Sequence, residues 1–170
     1  FLQQDLFIDI FGSSFFYRMD RIINWRSGSG MQLENSLAAI GSSSITGHGF
    51  KNTPIYFPES GTDFIFSVFA SNFGLIGSIF LIIFLLLFNL RIIQIGRTTI
   101  NRIDKYTIAG IIGILMYQQI QNIGMTIGIL PITGITLPFI SYGGSSLLSY
   151  MVLIGLILNI NNTKEKKIKY

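Results

Sequence analysis

The stretch Leu137–Ser146, LPFISYGGSS, sets hydroxyls at Ser141, Tyr142, Ser145 and Ser146 around the neighbouring glycines Gly143 and Gly144. Pro131 and Pro138 bar regular helix ahead of it, and the two glycines allow close backbone approach and positive φ. A helix starting near Ser145 would aim unpaired N–H groups and a positive dipole end at those hydroxyls, an arrangement suited to an anionic phosphate. The same residues also fit a tight interhelical turn capped by Ser145. A second group is the carboxylate pair Glu59 and Asp63, after Pro58 and immediately before an apolar run. Thr62 or Asp63 stands where that run, read as a helix, would be capped. A third is the polar cluster Gln118, Gln119, Gln121 and Asn122 within an otherwise apolar segment, with Gln118 and Asn122 on one helical face. Such groups are costly in lipid unless paired, and bonding between helices is one role for them. The absence of cysteine excludes disulfides and thiol chemistry. His48, the single histidine, has no companions with which to hold a metal or act as a base.

These groups lie in a chain of unusual composition. Of 170 residues, 49% are hydrophobic and only 12% charged, against about 25% charged in ordinary soluble domains. Three segments have the length and apolarity to cross a bilayer, which takes about 20 residues. They cover roughly residues 64–90, 106–128 and 145–160, and all should be helical because lipid offers backbone groups no partner. The predicted class is therefore an all-α polytopic membrane protein with three transmembrane helices. The chain opens on Phe rather than Met, which reads as a fragment lacking its N-terminal part.

Charge placement orients the spans. Arg91, Arg97, Arg102 and Lys105 follow the first; Lys164, Lys166, Lys167 and Lys169 follow the third. By the positive-inside tendency both ends are cytoplasmic, including a basic tail over 161–170. Residues 1–62 and the loop holding LPFISYGGSS then face outward. The cation excess is thus topological, and nucleic acid is rejected as a partner. Residues 1–62 are polar and rich in Gly and Ser, and are expected to form a large extracytoplasmic loop with surface helices. One of these is SGMQLENSLAAIG, with Leu33, Leu37 and Ile40 at helical spacing. The membrane region covers 63–160.

The segments AAIGSSSITGHGF, YFPESGTDFIFSVFASNFGLIG and NIGMTIGILPITGITLPFISYGGSS, in that order, resemble the C-terminal half of the RodA/FtsW/SpoVE family. These are the SEDS proteins of bacterial cell shape, division and sporulation. The resemblance runs from about Tyr17 to Ile160. It implies a bundle of about ten helices, of which this chain supplies the last three and the large outward loop before them. It also implies a multi-pass protein of the bacterial cytoplasmic membrane with peptidoglycan glycosyltransferase activity. Lipid II would be the donor and the nascent lipid-linked glycan the acceptor, with bilayer lipid around it and a class B penicillin-binding protein as partner. The alternative is a non-enzymatic lipid II carrier or flippase, or a membrane scaffold for a transpeptidase.

Under that resemblance the base that takes the acceptor proton should be an outward carboxylate. The family segment expected to carry it corresponds to RIINWRSGSGMQ, Arg21–Gln32, which is shortened and holds no Asp. Asp20, kept ionised by Arg21, is the candidate left. Glu59 and Asp63 fall where the pyrophosphate and a divalent cation, Mg or Mn, would sit. Ser141, Tyr142, Gly143, Gly144 and Ser145 would line the substrate pocket. An acidic pair of the family is replaced by Ser71 and Asn72, and its Gly-Ser-Gly-Gly by Gly41-Ser42-Ser43-Ser44. Both departures bear on activity.

Overall fold

The structure, a computed structural model, describes residues 31–50, 52, 54–56 and 59–168. Among them the regular elements are four helices and no strand: α1 (Met31–Ser42), α2 (Ile65–Thr98), α3 (Arg102–Thr126) and α4 (Gly144–Ile168). The predicted all-helical class holds.

Helix α2 forms because its 34 residues are mostly Leu, Ile and Phe, with Arg97 in the last turn complementing the dipole. It runs past the expected end at 90 and takes Arg91 and Arg97 into the helix. The turn to α3 is correspondingly short, and the Asn101 side chain caps α3 by accepting from Ile103 N at 3.2 Å. So short a connection makes α2 and α3 neighbours. Helix α4 begins at Gly144 and continues through most of the expected 161–170 tail.

Two helices are long and apolar enough to cross a membrane, Ile65–Thr98 and Gly144–Thr163. Their most apolar windows are only 22% and 11% buried, whereas the core helix of a soluble protein would be mostly covered. Helix α3 is long enough at 25 residues, but its Gln and Asn cluster keeps it below that apolarity.

Ile92, Ile95, Ile108, Ile111, Leu115, Tyr150 and Ile157 make a core among α2, α3 and α4. Phe66, Leu81, Leu85 and Leu137 make a second, seating the loop after α3 against α2. Surface helix α1 forms as expected but rotated: Leu33, Ser36 and Ala39 are buried, while Leu37 is exposed. Ser36 selects that face because its hydroxyl donates to Thr126 O at 2.9 Å, which satisfies a carbonyl at the end of α3.

Helix α2 is broken at Gly74, whose φ of 66° and ψ of −162° are open essentially only to glycine. The segment after α1 fills the break. His48 N and Gly49 N donate to Ser71 O and Asn72 O, while Leu75 N and Ile76 N donate to Ser44 O and Ile45 O, at 3.0–3.2 Å. Gly47 and Gly74 are where the two backbones meet; a Cβ on either would strike the other strand's carbonyl.

Candidate functional site

The turn before α2 and the loop after α3 lie far apart in sequence yet are joined by a row of hydrogen bonds. Three consecutive carbonyls accept them: Gly61 O from Tyr142 N at 3.0 Å, Thr62 O from Ser141 Oγ at 2.6 Å, and Asp63 O from Asn122 Nδ2 at 2.7 Å. These carbonyls precede the first turn of α2, so no intrahelical N–H competes for them. Ser141 Oγ also accepts from Leu137 N at 2.8 Å, and Asn122 Nδ2 also donates to Ile135 O at 2.8 Å. The carboxyl-bearing turn and the hydroxyl-bearing loop are thereby one unit.

Glu59 stands at positive φ, 61°, and is exposed. The Thr62 hydroxyl donates to its Oε2 at 2.7 Å. Asp63 is half-buried beside Gly134, where a Cβ would lie 3.2 Å from Asp63 Oδ2. Burial and the nearby Glu59 charge raise the Asp63 carboxyl above its ordinary value, and the Thr62 hydroxyl offsets part of that rise. The shift makes the Asp63 carboxylate a better proton acceptor than a free aspartate.

The other expected site residues are distributed as follows. Ser141 spends its hydroxyl on the fold, accepting from one backbone group and donating to another. Tyr142 is 84% exposed, its backbone tied down and its ring free. Ser145 is exposed in the first turn of α4, and Ser146 Oγ donates to Gly143 O at 3.0 Å. Neither Gly143 nor Gly144 uses the positive φ open to it; in this loop that conformation falls at Gly128, Gly134 and Phe139. A Cβ at Gly143 would crowd only the rotatable Ser146 Oγ, and Gly144 faces open space. The His48 ring bonds Ser42 Oγ at 3.1 Å through its Nε2. Asp20 and the Arg21–Gln32 stretch, up to Gly30, lie outside the described residues. Among the described residues no group of three metal-ligating side chains occurs.

Three members of the polar cluster on α3 bond other elements. Asn89 Nδ2 donates to Gln119 Oε1 at 2.6 Å, joining α2 to α3, and Gln121 Nε2 donates to Pro131 O at 2.9 Å. Asn122 reaches two segments at once. Beside the Asn89–Gln119 pair lies a groove of about 510 Å³, lined mainly by Ile82, Leu86, Met116 and Ile120.

Asn122 is the residue whose place in the site was not anticipated. A signal for it does exist, because Ile108, Ile111, Leu115, Gln119, Asn122 and Thr126 follow one helical stripe and all are buried. A polar residue on such a stripe must find its partners indoors.

A sequence profile of the family described as cell cycle protein, FtsW/RodA/SpoVE, matches residues 8–166. The chain belongs to that family. It is 45% identical over 157 residues to the probable peptidoglycan glycosyltransferase FtsW of Coxiella burnetii (strain RSA 493 / Nine Mile phase I), covering 85% of this chain and 42% of that protein. Over 154 residues it is 35% identical to stage V sporulation protein E of Bacillus subtilis (strain 168), again covering 85% and 42%. A solved structure described as showing structural coordination of polymerization and crosslinking by a peptidoglycan synthase complex matches with a TM-score of 0.74 and 25% identity. It covers 96% of this chain and 46% of that one. The chain thus spans less than half the length of these FtsW/RodA/SpoVE relatives. Membership in the family, with two lipid-grade helices, makes this a membrane protein.

Proposed function

We propose that this chain is the C-terminal part of a peptidoglycan glycosyltransferase that polymerises lipid II on the outer face of the bacterial cytoplasmic membrane. The observation that carries the reading is the row of carbonyls at 61–63, held by Tyr142, Ser141 and Asn122, which brings Asp63 against the loop holding Gly134. In this reading α3 is a third span beside α2 and α4. Residues 1–62 and the loop between α3 and α4 face outward, and the cations after α2 and at the C-terminus face the cytoplasm. A class B penicillin-binding protein is the partner, and related proteins named as peptidoglycan glycosyltransferases support the activity.

Glycosyl transfer joins the acceptor hydroxyl oxygen to the donor's anomeric carbon as the bond from that carbon to the pyrophosphate breaks. The hydroxyl proton must go to a base, and the departing pyrophosphate must have its charge met. Asp63 takes the base role here, since its raised proton affinity and half-burial suit it. The exposed Tyr142 hydroxyl and the first turn of α4 at Ser145 face the anionic group.

The experiment is polymerisation of lipid II by the full-length protein with its partner. Asp63→Asn should lower the rate by roughly 10²-fold or more, and Asp20→Asn serves as the rival variant. Loss confined to Asp20→Asn moves the base there. No polymerisation by the parent favours the carrier or scaffold reading.

A further inference from the structure

Asn122 is fully buried near the end of α3. Its amide carries two N–H donors, and both are in use: one meets Asp63 O at 2.7 Å and the other Ile135 O at 2.8 Å. Turning the amide over would set its oxygen against two carbonyl oxygens, so the bonding itself fixes the orientation. Asp63 O and Ile135 O belong to segments that also meet at the two preceding carbonyls, through Thr62 O with Ser141 Oγ and Gly61 O with Tyr142 N. Ile135 directly follows Gly134, the residue facing Asp63 Oδ2. At Asp63 itself, the bridge from its backbone to the loop at Ile135 is this one amide. Asn122 Oδ1 is buried and has no hydrogen-bond partner among the described residues. An acceptor left unpaired in that position costs stability. A residue kept only for helix packing would not need to carry such an acceptor, because an apolar side chain fills the same stripe.

We propose that Asn122 is the positioning residue of the site. It clamps the backbone of Asp63 to that of Ile135 and so sets the carboxylate's distance from the reacting hydroxyl. This rests on the assignment of Asp63 as the base. A clamp of this kind acts on placement, and small misplacements of a reacting group are costly in rate while leaving substrate affinity nearly intact.

Three variants of the full-length protein, assayed with its partner on lipid II, separate the outcomes. Asn122→Ala removes both donors and should lower kcat by roughly 10- to 10²-fold with KM within about twofold. Asn122→Ser, which keeps a single donor, should fall between Asn122→Ala and the parent. Asn122→Asp, nearly the same shape but with no donor when ionised, should be worse than Asn122→Ala. Hydrogen exchange of the parent and Asn122→Ala supplies a readout independent of activity: exchange should rise over 61–64 and 134–141 and stay unchanged through the middle of α3. A variant that merely loses folded protein would show a lower rate with exchange raised across α3 as well; that result overturns the clamp. Unchanged kcat and exchange in Asn122→Ala overturns it too. Asp63→Asn with full activity overturns the base assignment instead, and with it the clamp's catalytic purpose, whatever the exchange data show.

Discussion

Asp63 links the acid–base behaviour of the site to its stability. Its proton is held more tightly in the folded chain than in the unfolded one, since burial and Glu59 both disfavour the charge. Folding therefore favours the protonated form, and stability contributed by this group falls as pH rises from the ordinary aspartate value through the raised one. Asp63→Asn resembles the protonated side chain. Its melting temperature at neutral pH should equal or exceed the parent's, with the difference shrinking toward acid, even though polymerisation is lost. A melting temperature well below the parent's at neutral pH would contradict this. Glu59→Gln removes the second cause of the rise, so the acid limb of kcat/KM should move to lower pH in that variant. Gly134 carries a related expectation. Its φ is 72° and a Cβ there would press on Asp63 Oδ2, so Gly134→Ala should reduce polymerisation strongly. Gly144→Ala, facing open space, should leave it close to the parent. Equal loss in both would mean that the loop tolerates no change anywhere and that contact with Asp63 is not the reason.

Between elements, the Asn89–Gln119 pair is the main polar contact joining α2 to α3. Replacing Asn89 alone by Leu strands Gln119 in an apolar groove, at a cost of about 1–3 kcal/mol. Replacing both by Leu should recover most of that loss, since no polar group is then left unpaired. Unfolding in detergent measures both; a double variant as unstable as the single one would show that the pair does more than satisfy itself. How much of this could be read from the residues differs by element. Helix α1 and the apolar body of α2 were legible, because composition and period dictate them locally. The face that α1 buries was not, since it turns on Ser36 reaching a carbonyl on α3 rather than on the bulk of Leu37. Glu59, Asp63 and the hydroxyl-bearing loop were each legible as polar groups at apolar boundaries. Their union was not, because it is made by backbone carbonyls and one Asn, groups whose partners no spacing announces. The break at Gly74 also escaped, since a glycine inside so apolar a run is tolerated in an unbroken helix, and only the distant 44–49 segment reveals why it is there.

For the whole molecule, the placement of cations and apolar helices yields a topology that can be measured. The chain contains no cysteine, so single cysteines at the exposed positions Asn52, Thr133 and Asn162 report on side without interference from other thiols in this region. Impermeant reagent applied to intact cells should label 52 and 133 and spare 162. Labelling of 162 from outside would invert the assignment and move Asp63 to the cytoplasmic face, where the polymerase reading fails. The apolar face of α2 left exposed between Leu75 and Leu90, including Phe80, Phe84 and Leu87, agrees with a chain spanning less than half the length of its relatives. Lipid or further helices of the complete protein would cover it.

The break in α2 bears on how the protein is made. Ser71 O, Asn72 O, Leu75 N and Ile76 N find their partners in residues 44–49, not in their own helix. A segment entering the bilayer before that strap is seated would have four backbone groups without partners. The lower-energy form at that moment is an uninterrupted helix, in which each of them bonds within the segment. The nascent span would thus enter straight and bend only when α1 and its strap dock, so the bend is a product of assembly. A peptide covering 65–98 in micelles should then be continuously helical, with amide protection running unbroken through Gly74. The complete protein should acquire the bend late, after its hydrophobic segments are already in place.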